Sequence, residues 1–136
     1  QKASFDIAGL LNRPEHVEVR NFLQKEVEGH DSISAEDLYA KIEGEHKLNN
    51  AVTVVMGILE DMAIAVQHDY VDEDILYTSL AVIVRRNWAG LRGWVEQSRK
   101  RESETEIMIE IEKLAGSWES GIRLSDGGKL PALTKV

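Results

Sequence analysis

The chain has 136 residues, the length of a single domain, and no cysteine, which excludes disulfides and cysteine-based metal or redox chemistry. It is 43% hydrophobic and 29% charged, as in soluble globular proteins, and its longest uncharged stretch, Leu48 to Leu59, is shorter than the roughly 18 residues that cross a membrane. The net charge of −8 argues against a dedicated nucleic-acid binder.

The first third of the chain predicts short helices. Residues 4–11 have the composition of one or two helical turns, and Pro14 suits the first turn of a helix that would end at 29–31. Ser34 followed by Asp37 resembles a capping box, which predicts that another helix begins there.

Three longer helices are predicted over 46–68, 73–100 and 104–119, because apolar residues recur there with the helical period. A turn at 68–71 separates the first two, and Asp72 is a suitable N-cap for the second. We therefore predict an all-α, single-domain bundle of four to five mostly antiparallel helices over 1–120, with its core at 46–119. Residues 121–136 are polar and glycine-rich, which predicts a flexible C-terminal tail.

Charge is strongly segregated along the chain. Residues 51–84 hold six acids and no Lys or Arg, whereas residues 85–101 hold six bases and only one acid, Glu96. Residues 102–120 are acidic again, with Lys113 as the only base. Such blocks indicate either an interaction surface or charge pairing inside the protein.

The basic segment 85–101 is the strongest local feature. On a helix, Arg85, Arg92 and Arg99 recur every seven residues and share one stripe. If exposed, this stripe would bind anions such as nucleic-acid phosphates or anionic lipid, with tryptophans stacking or anchoring beside it. The candidate ion-pair or anion-site residues in the segment are Arg85, Arg86, Trp88, Arg92, Trp94, Arg99, Lys100 and Arg101.

Internal pairing is the preferred interpretation of the same arginines. Glu102, Glu106 and Glu110 are spaced four apart on the next predicted helix, and like charges at that spacing are unfavourable unless opposite charges offset them. A tight turn would place this acidic helix antiparallel to the basic one. The tryptophans would then belong to the core.

Glu60 is a further candidate site residue, since it interrupts an apolar run between Ile58 and Ala63. An inward-facing carboxylate needs a partner because an unpaired buried charge is costly. Arg85, Arg86 and the indole of Trp88 are the candidate partners. A structural ion pair is the preferred interpretation, and a carboxylate in a functional pocket is the alternative.

Catalytic, metal and cofactor motifs are not recognisable. Residues 43–46 contain one Glu-x-x-His motif, whereas di-iron bundles use two copies with further glutamates. The glycines at 116 and 121 have the spacing of a phosphate-binding loop, but the required Lys-Ser/Thr does not follow. We therefore predict no catalytic residues, no metal and no cofactor.

The central and C-terminal sequence resembles domain-of-unknown-function family 4760. The resemblance covers roughly residues 50–120 and begins with the apolar helix that carries Glu60, the short turn, and the Asp-Glu pair at 72–73 that opens the next helix. It continues with Trp88, followed by Arg99, and with the Glu-Lys-Leu-Ala-Gly-Ser-Trp ending at 112–118. The resemblance implies a small, helical, mostly bacterial protein, often preceded by membrane helices, with no assigned activity.

These observations predict a non-enzymatic interaction or regulatory module that binds a protein partner or itself. We expect a cytoplasmic location, with a tether to the inner face of the membrane through an upstream segment as one form of this hypothesis, which Gln1 at the start of the sequence fits. The alternative is an anion-binding module that uses residues 85–101 on nucleic acid or an anionic membrane surface. An enzyme whose carboxylates converge in a pocket is the third hypothesis.

Overall fold

Five helices form the part of the chain that the computed structural model describes, residues 13–27 and 33–124. They are α1 (Pro14–Val27), α2 (Ala35–Gly44), α3 (His46–Gln67), α4 (Glu73–Arg101) and α5 (Ile109–Glu119). No strand occurs in these ranges, which confirms the predicted all-α fold. The predictions for residues 4–11, for the helix end at 29–31 and for residues 125–136 of the tail lie outside the described residues.

The predicted caps define the starts of α2 and α4. The Ser34 hydroxyl accepts a hydrogen bond from the Asp37 backbone N–H at 3.1 Å. The Asp72 carboxylate accepts one from the Ile75 N–H at 3.2 Å. Each bond satisfies an N–H that has no partner within its own helix, so these short polar residues determine where the helices begin.

The last helix begins at Ile109, five residues later than the predicted start at 104, which was wrong. Met108 adopts the left-handed conformation, with φ 56° and ψ 31°, which no α-helix can continue through. The Glu104 carboxylate also accepts a hydrogen bond from the Glu106 backbone N–H at 3.1 Å. Such a local bond competes with helical hydrogen bonding, so residues 102–108 form a turn.

The core is built around α3. Its buried face runs from Leu48 to Val66, and it packs against α1, α2 and α5, while α4 packs mainly against α2 and α5. Because an apolar stripe of this length buries most of its side chains, the hydrophobic effect is the main stabilising contribution. Trp118 of α5 is completely buried in the same cluster.

Among the described helices, only α3 is long and apolar enough to cross a membrane, with a mean hydropathy of 1.3 over its most apolar window. The longest uncharged stretch of the sequence did not indicate this length, because Glu60 and Asp61 interrupt the apolar residues of α3. A central helix of a bundle passes the same test of length and composition, and 44% of this window is buried inside the protein.

Gly93 determines how closely α2 approaches α4. A Cβ at this position would lie 3.3 Å from the Ala35 Cα and 3.4 Å from its Cβ. Contacts this short with backbone atoms are tighter than most real Cβ contacts, so the backbone at Ala35 would have to shift by a few tenths of an ångström. By contrast, a Cβ at Gly57, inside α3, would meet nothing within 4 Å.

Replacing these two glycines by alanine should change the free energy of unfolding in opposite directions. Gly57→Ala is expected to raise the free energy of unfolding by about 0.5–1 kcal/mol, since alanine is the better helix former. Gly93→Ala gains the same helical preference, but overpacking against Ala35 costs roughly 1–3 kcal/mol. Urea unfolding of both variants checks the difference; equal stabilisation by both would contradict the close approach of α2 to α4.

Candidate functional site

The exposed large apolar side chains of the described part are confined to one stretch of the sequence. The large apolar side chains that remain exposed are Ile64, Tyr70, Ile75 and Val82, all within the stretch that has no Lys or Arg. Ile75 and Val82 are 52% and 54% exposed and lie seven residues apart on α4, so they share one face. Tyr70, in the turn before α4, is 69% exposed and stacks on His68.

Acidic residues accompany these side chains. Asp69 lies in the turn, Asp72 caps α4, and Asp74 follows in its first turn. We call Tyr70, Ile75 and Val82, together with these three aspartates, the acidic apolar surface. Its apolar side chains offer area for burial, and its carboxylates favour a positively charged partner.

Ile64 belongs to another face of the bundle. It is one helical turn from Glu60 on α3, and Glu60 contacts the start of α5. Ile75 and Val82 lie instead on the exposed face of α4, whereas Glu73 and Tyr77 of that helix contact Trp118 of α5. Ile64 therefore lies outside the acidic apolar surface.

The basic segment does not act as one stripe. Only Arg99 pairs with the region that follows it: its Nε donates to the Ile107 carbonyl at 2.9 Å and its Nη2 contacts the Glu112 carboxylate at 2.8 Å. Arg92 is exposed and pairs with Glu96 of its own helix at 3.7 Å. The guanidinium of Arg101 lies 4.7 Å from the centre of the Tyr39 ring.

The predicted internal pairing with the glutamates spaced four apart was therefore largely wrong. Glu102 and Glu106 are exposed, and Glu110 lies 3.5 Å from Lys113 of its own helix. The reason is the late start of α5, which places the first two glutamates in a turn instead of on a helix face. Within the basic segment 85–101, three cations have no partner among the described residues: Arg85, Arg86 and Lys100.

Arg101 lies beside a tyrosine whose pKa is shifted. Burial raises the pKa of the Tyr39 hydroxyl, and a hydrogen bond with Glu43 raises it further. The positive charge of Arg101 lowers it in part. The contact stabilises the end of α4 against α2, so this arginine has a structural partner of its own.

The three tryptophans occupy different environments. Trp88 is half-buried against the core, and Trp94 is buried, with an indole N–H that has no hydrogen-bond partner within the described residues. Trp118 is completely buried and donates to the Glu73 carboxylate at 2.7 Å. The tryptophans are therefore packing residues, in agreement with the interpretation as core.

Glu60 has a different partner from those predicted. One carboxylate oxygen accepts from the Ile111 backbone N–H at 2.7 Å and the other from the Glu110 N–H at 3.3 Å. Met108, at the formal cap position, provides no side-chain bond. Glu60 therefore caps α5 from α3, and the prediction of Arg85, Arg86 or Trp88 as its partner was wrong.

Glu73 is the site residue that the sequence did not reveal. Its side chain is buried, with 6% exposure, and one oxygen accepts from both the Trp118 indole and the Leu124 backbone N–H, at 2.7 Å and 2.6 Å. In the sequence it is one of several acids that suit the start of a helix. Nothing in the local pattern separates it from Asp74, which is exposed.

Beside Glu73, Arg123 fastens the chain after α5 to α4. Its Nε donates to the Asp74 carboxylate at 2.7 Å, and its guanidinium lies 3.9 Å from the centre of the Tyr77 ring. The hydrogen bond to Asp74 raises the pKa of Arg123 further above its ordinary value. Residues 121–124 of the predicted tail therefore return to the start of α4.

Buried Glu73 and half-buried Glu60 both bind protein N–H groups, and the described residues contain no group of three His, Cys, Asp or Glu placed to hold a metal ion. The arrangement defines an all-helical bundle domain whose last helix is held by carboxylates from two earlier helices.

The model of the family described as Domain of unknown function (DUF4760) matches residues 1–118, and the chain belongs to that family. The match extends the resemblance over the N-terminal helices as well. No curated protein and no solved structure is significantly similar to the chain.

Proposed function

We propose that the domain is a non-enzymatic protein-interaction module, and that the acidic apolar surface binds a basic helical segment. The observation that carries the proposal is the coincidence of exposed apolar side chains with a stretch that has no Lys or Arg. An activity is not needed to explain the carboxylates of Glu60 and Glu73, since both bind protein N–H groups. That the domain is not an enzyme and is cytoplasmic stays a prediction.

The apolar side chains supply the driving force for binding. Full burial of a completely exposed isoleucine or valine is worth roughly 1.5–3 kcal/mol. Ile75 and Val82 are about half exposed, so each offers about half of that value towards binding. Both lie on a helix that is fixed by the core, so little ordering is required of the domain. A partner helix could bury them with its own apolar face.

The carboxylates determine which partners are favoured. Asp69 and Asp74 are exposed beside the apolar side chains, and an acidic partner would be repelled even though Asp74 also pairs with Arg123. A basic amphipathic helix satisfies both requirements. Its binding should weaken at high salt through a lower association rate, while the apolar contribution remains.

The test is titration with a helical peptide that has leucines on one face and lysines on the other. Calorimetry should detect binding to the domain, and Val82→Ser should weaken it about tenfold or more, which corresponds to about 1.4 kcal/mol. Ile64→Ser is the matched control, because it removes an exposed isoleucine from a different face. Equal affinities for both variants and the parent domain would contradict the proposal.

Anion binding is the second candidate, because Arg85, Arg86 and Lys100 have no partner in the described ranges. It predicts that an oligonucleotide or anionic vesicles bind and that this binding falls steeply with salt. Half-buried Trp88 lies close in sequence to two of these cations, so tryptophan emission can follow the titration. Binding that Arg86→Glu abolishes and Val82→Ser preserves would favour this candidate over the first.

A further inference from the structure

The exposed side chains along α4 change from acidic or apolar to mainly basic near the middle of the helix. Its first half presents Asp74, Ile75 and Val82, which are acidic or apolar. Its second half presents three exposed bases, Arg86, Arg92 and Lys100, against one exposed acid, Glu96, which pairs with Arg92. We call the six residues other than Glu96 the outer stripe of α4. Because the helix has 29 residues and is about 43 Å long, the two halves are well separated.

We propose that the basic helix bound by the acidic apolar surface is the second half of α4 in a second copy of this chain, so that two α4 helices pack antiparallel around a two-fold axis. This inference rests on the proposed function and names its partner. Antiparallel packing places each acidic half opposite a basic half, and the two contacts are identical by symmetry.

The residues of the second half suit this role. Ala89, also exposed, is small enough to accept a larger side chain from the facing helix. The aliphatic stems of Arg86 and Arg92 can cover Ile75 and Val82 while their charged ends reach the aspartates. A parallel arrangement would instead place like charges together, which is unfavourable.

The area of the outer stripe of α4 determines the expected affinity of the dimer. A strip about 43 Å long and roughly 10 Å wide buries on the order of 400 Å² per copy, or about 800 Å² in total, which is the size of a weak, transient interface. We expect a dissociation constant on the order of 10–100 µM that rises with salt. Sedimentation equilibrium should show a mass that moves with concentration from 15.3 kDa towards twice that value and no further.

Two charge variants test the antiparallel arrangement. Arg86→Glu/Arg92→Glu makes the centre of the outer stripe acidic and leaves Lys100 as its one base, and Thr78→Lys/Ser79→Lys introduces two cations between Ile75 and Val82. All four positions are exposed, and circular dichroism checks that both variants fold. Each variant alone should dimerise at least about tenfold more weakly than the parent chain. Mixed in equal amounts, they should form a one-to-one heterodimer.

The results separate this inference from the proposed function. A parent chain that remains monomeric up to 1 mM, or variants that do not associate when mixed, would overturn the self-association. If the basic peptide still binds and Val82→Ser still weakens it, the proposed function stands with a different partner. If neither the peptide nor a second copy binds, both proposals fail. Assembly into species larger than a dimer would overturn the two-fold arrangement. A two-fold contact is complete in the dimer, whereas a head-to-tail contact can add further copies.

Discussion

Glu73→Ala is expected to lower the free energy of unfolding by about 3 kcal/mol. The substitution removes the acceptor of the Trp118 indole and of the Leu124 backbone N–H. Trp118 is completely buried, so its N–H would be left without a partner and without water. A hydrogen bond to a charged group contributes roughly 1.5–3 kcal/mol, and an unsatisfied buried donor adds to the loss.

The matched control is Glu36→Ala. Glu36 also lies in the first turn of its helix, α2, but is exposed. Its loss should therefore cost only the favourable charge–dipole contribution, about 0.3–1 kcal/mol. Urea unfolding followed by circular dichroism measures both variants without depending on the emission of Trp118. If Glu73→Ala lost no more stability than Glu36→Ala, the carboxylate would not be holding α5.

Glu60→Ala is expected to cost about 2 kcal/mol, the second-largest effect. Loss of an N-cap typically costs about 1 kcal/mol, and here two N–H groups lose their acceptor together, at Glu110 and Ile111. Glu60→Gln keeps one oxygen that can accept, so its loss should be about half as large. The negative charge near the positive end of the α5 dipole is also removed in both variants.

The neighbouring Asp61 provides the control for Glu60. It is an exposed acid on the same helix, so Asp61→Ala makes the same kind of change without removing a cap. Hydrogen exchange distinguishes the two: the amides at the start of α5 should exchange faster in Glu60→Ala than in Asp61→Ala. Unchanged exchange at Ile111 would contradict the role of Glu60 as a cap from another helix.

These two carboxylates explain how a short helix is held in place. At 11 residues, α5 is too short to be stable alone in water. Glu60 binds its N-terminal end, Glu73 binds Trp118 near its C-terminal end, and Arg99 contacts Glu112 between them. The three contacts join α5 to α3 and α4, so the bundle presents the outer stripe of α4 on a rigid support.

Local sequence determined the fold class and most helix boundaries. The caps at Ser34 and Asp72 and the apolar periodicity of α3 act within a few residues, so their consequences are visible in the sequence. The segregation of charge was likewise evident, although which charges would be exposed was not. The start of α5 was missed because the left-handed conformation of Met108 has no sequence signal.

Only the tertiary structure decided the partners of the charged residues. Glu60 and the Ile111 N–H are 51 positions apart, and Glu73 and Trp118 are 45 apart, so no local pattern connects them. The helical period of apolar residues predicts that a side chain faces inward. Its partner depends on which helices pack together and on their register. For the same reason the preferred pairing of the arginines failed for all but Arg99, and the exposure of Ile75 and Val82 emerged only from packing.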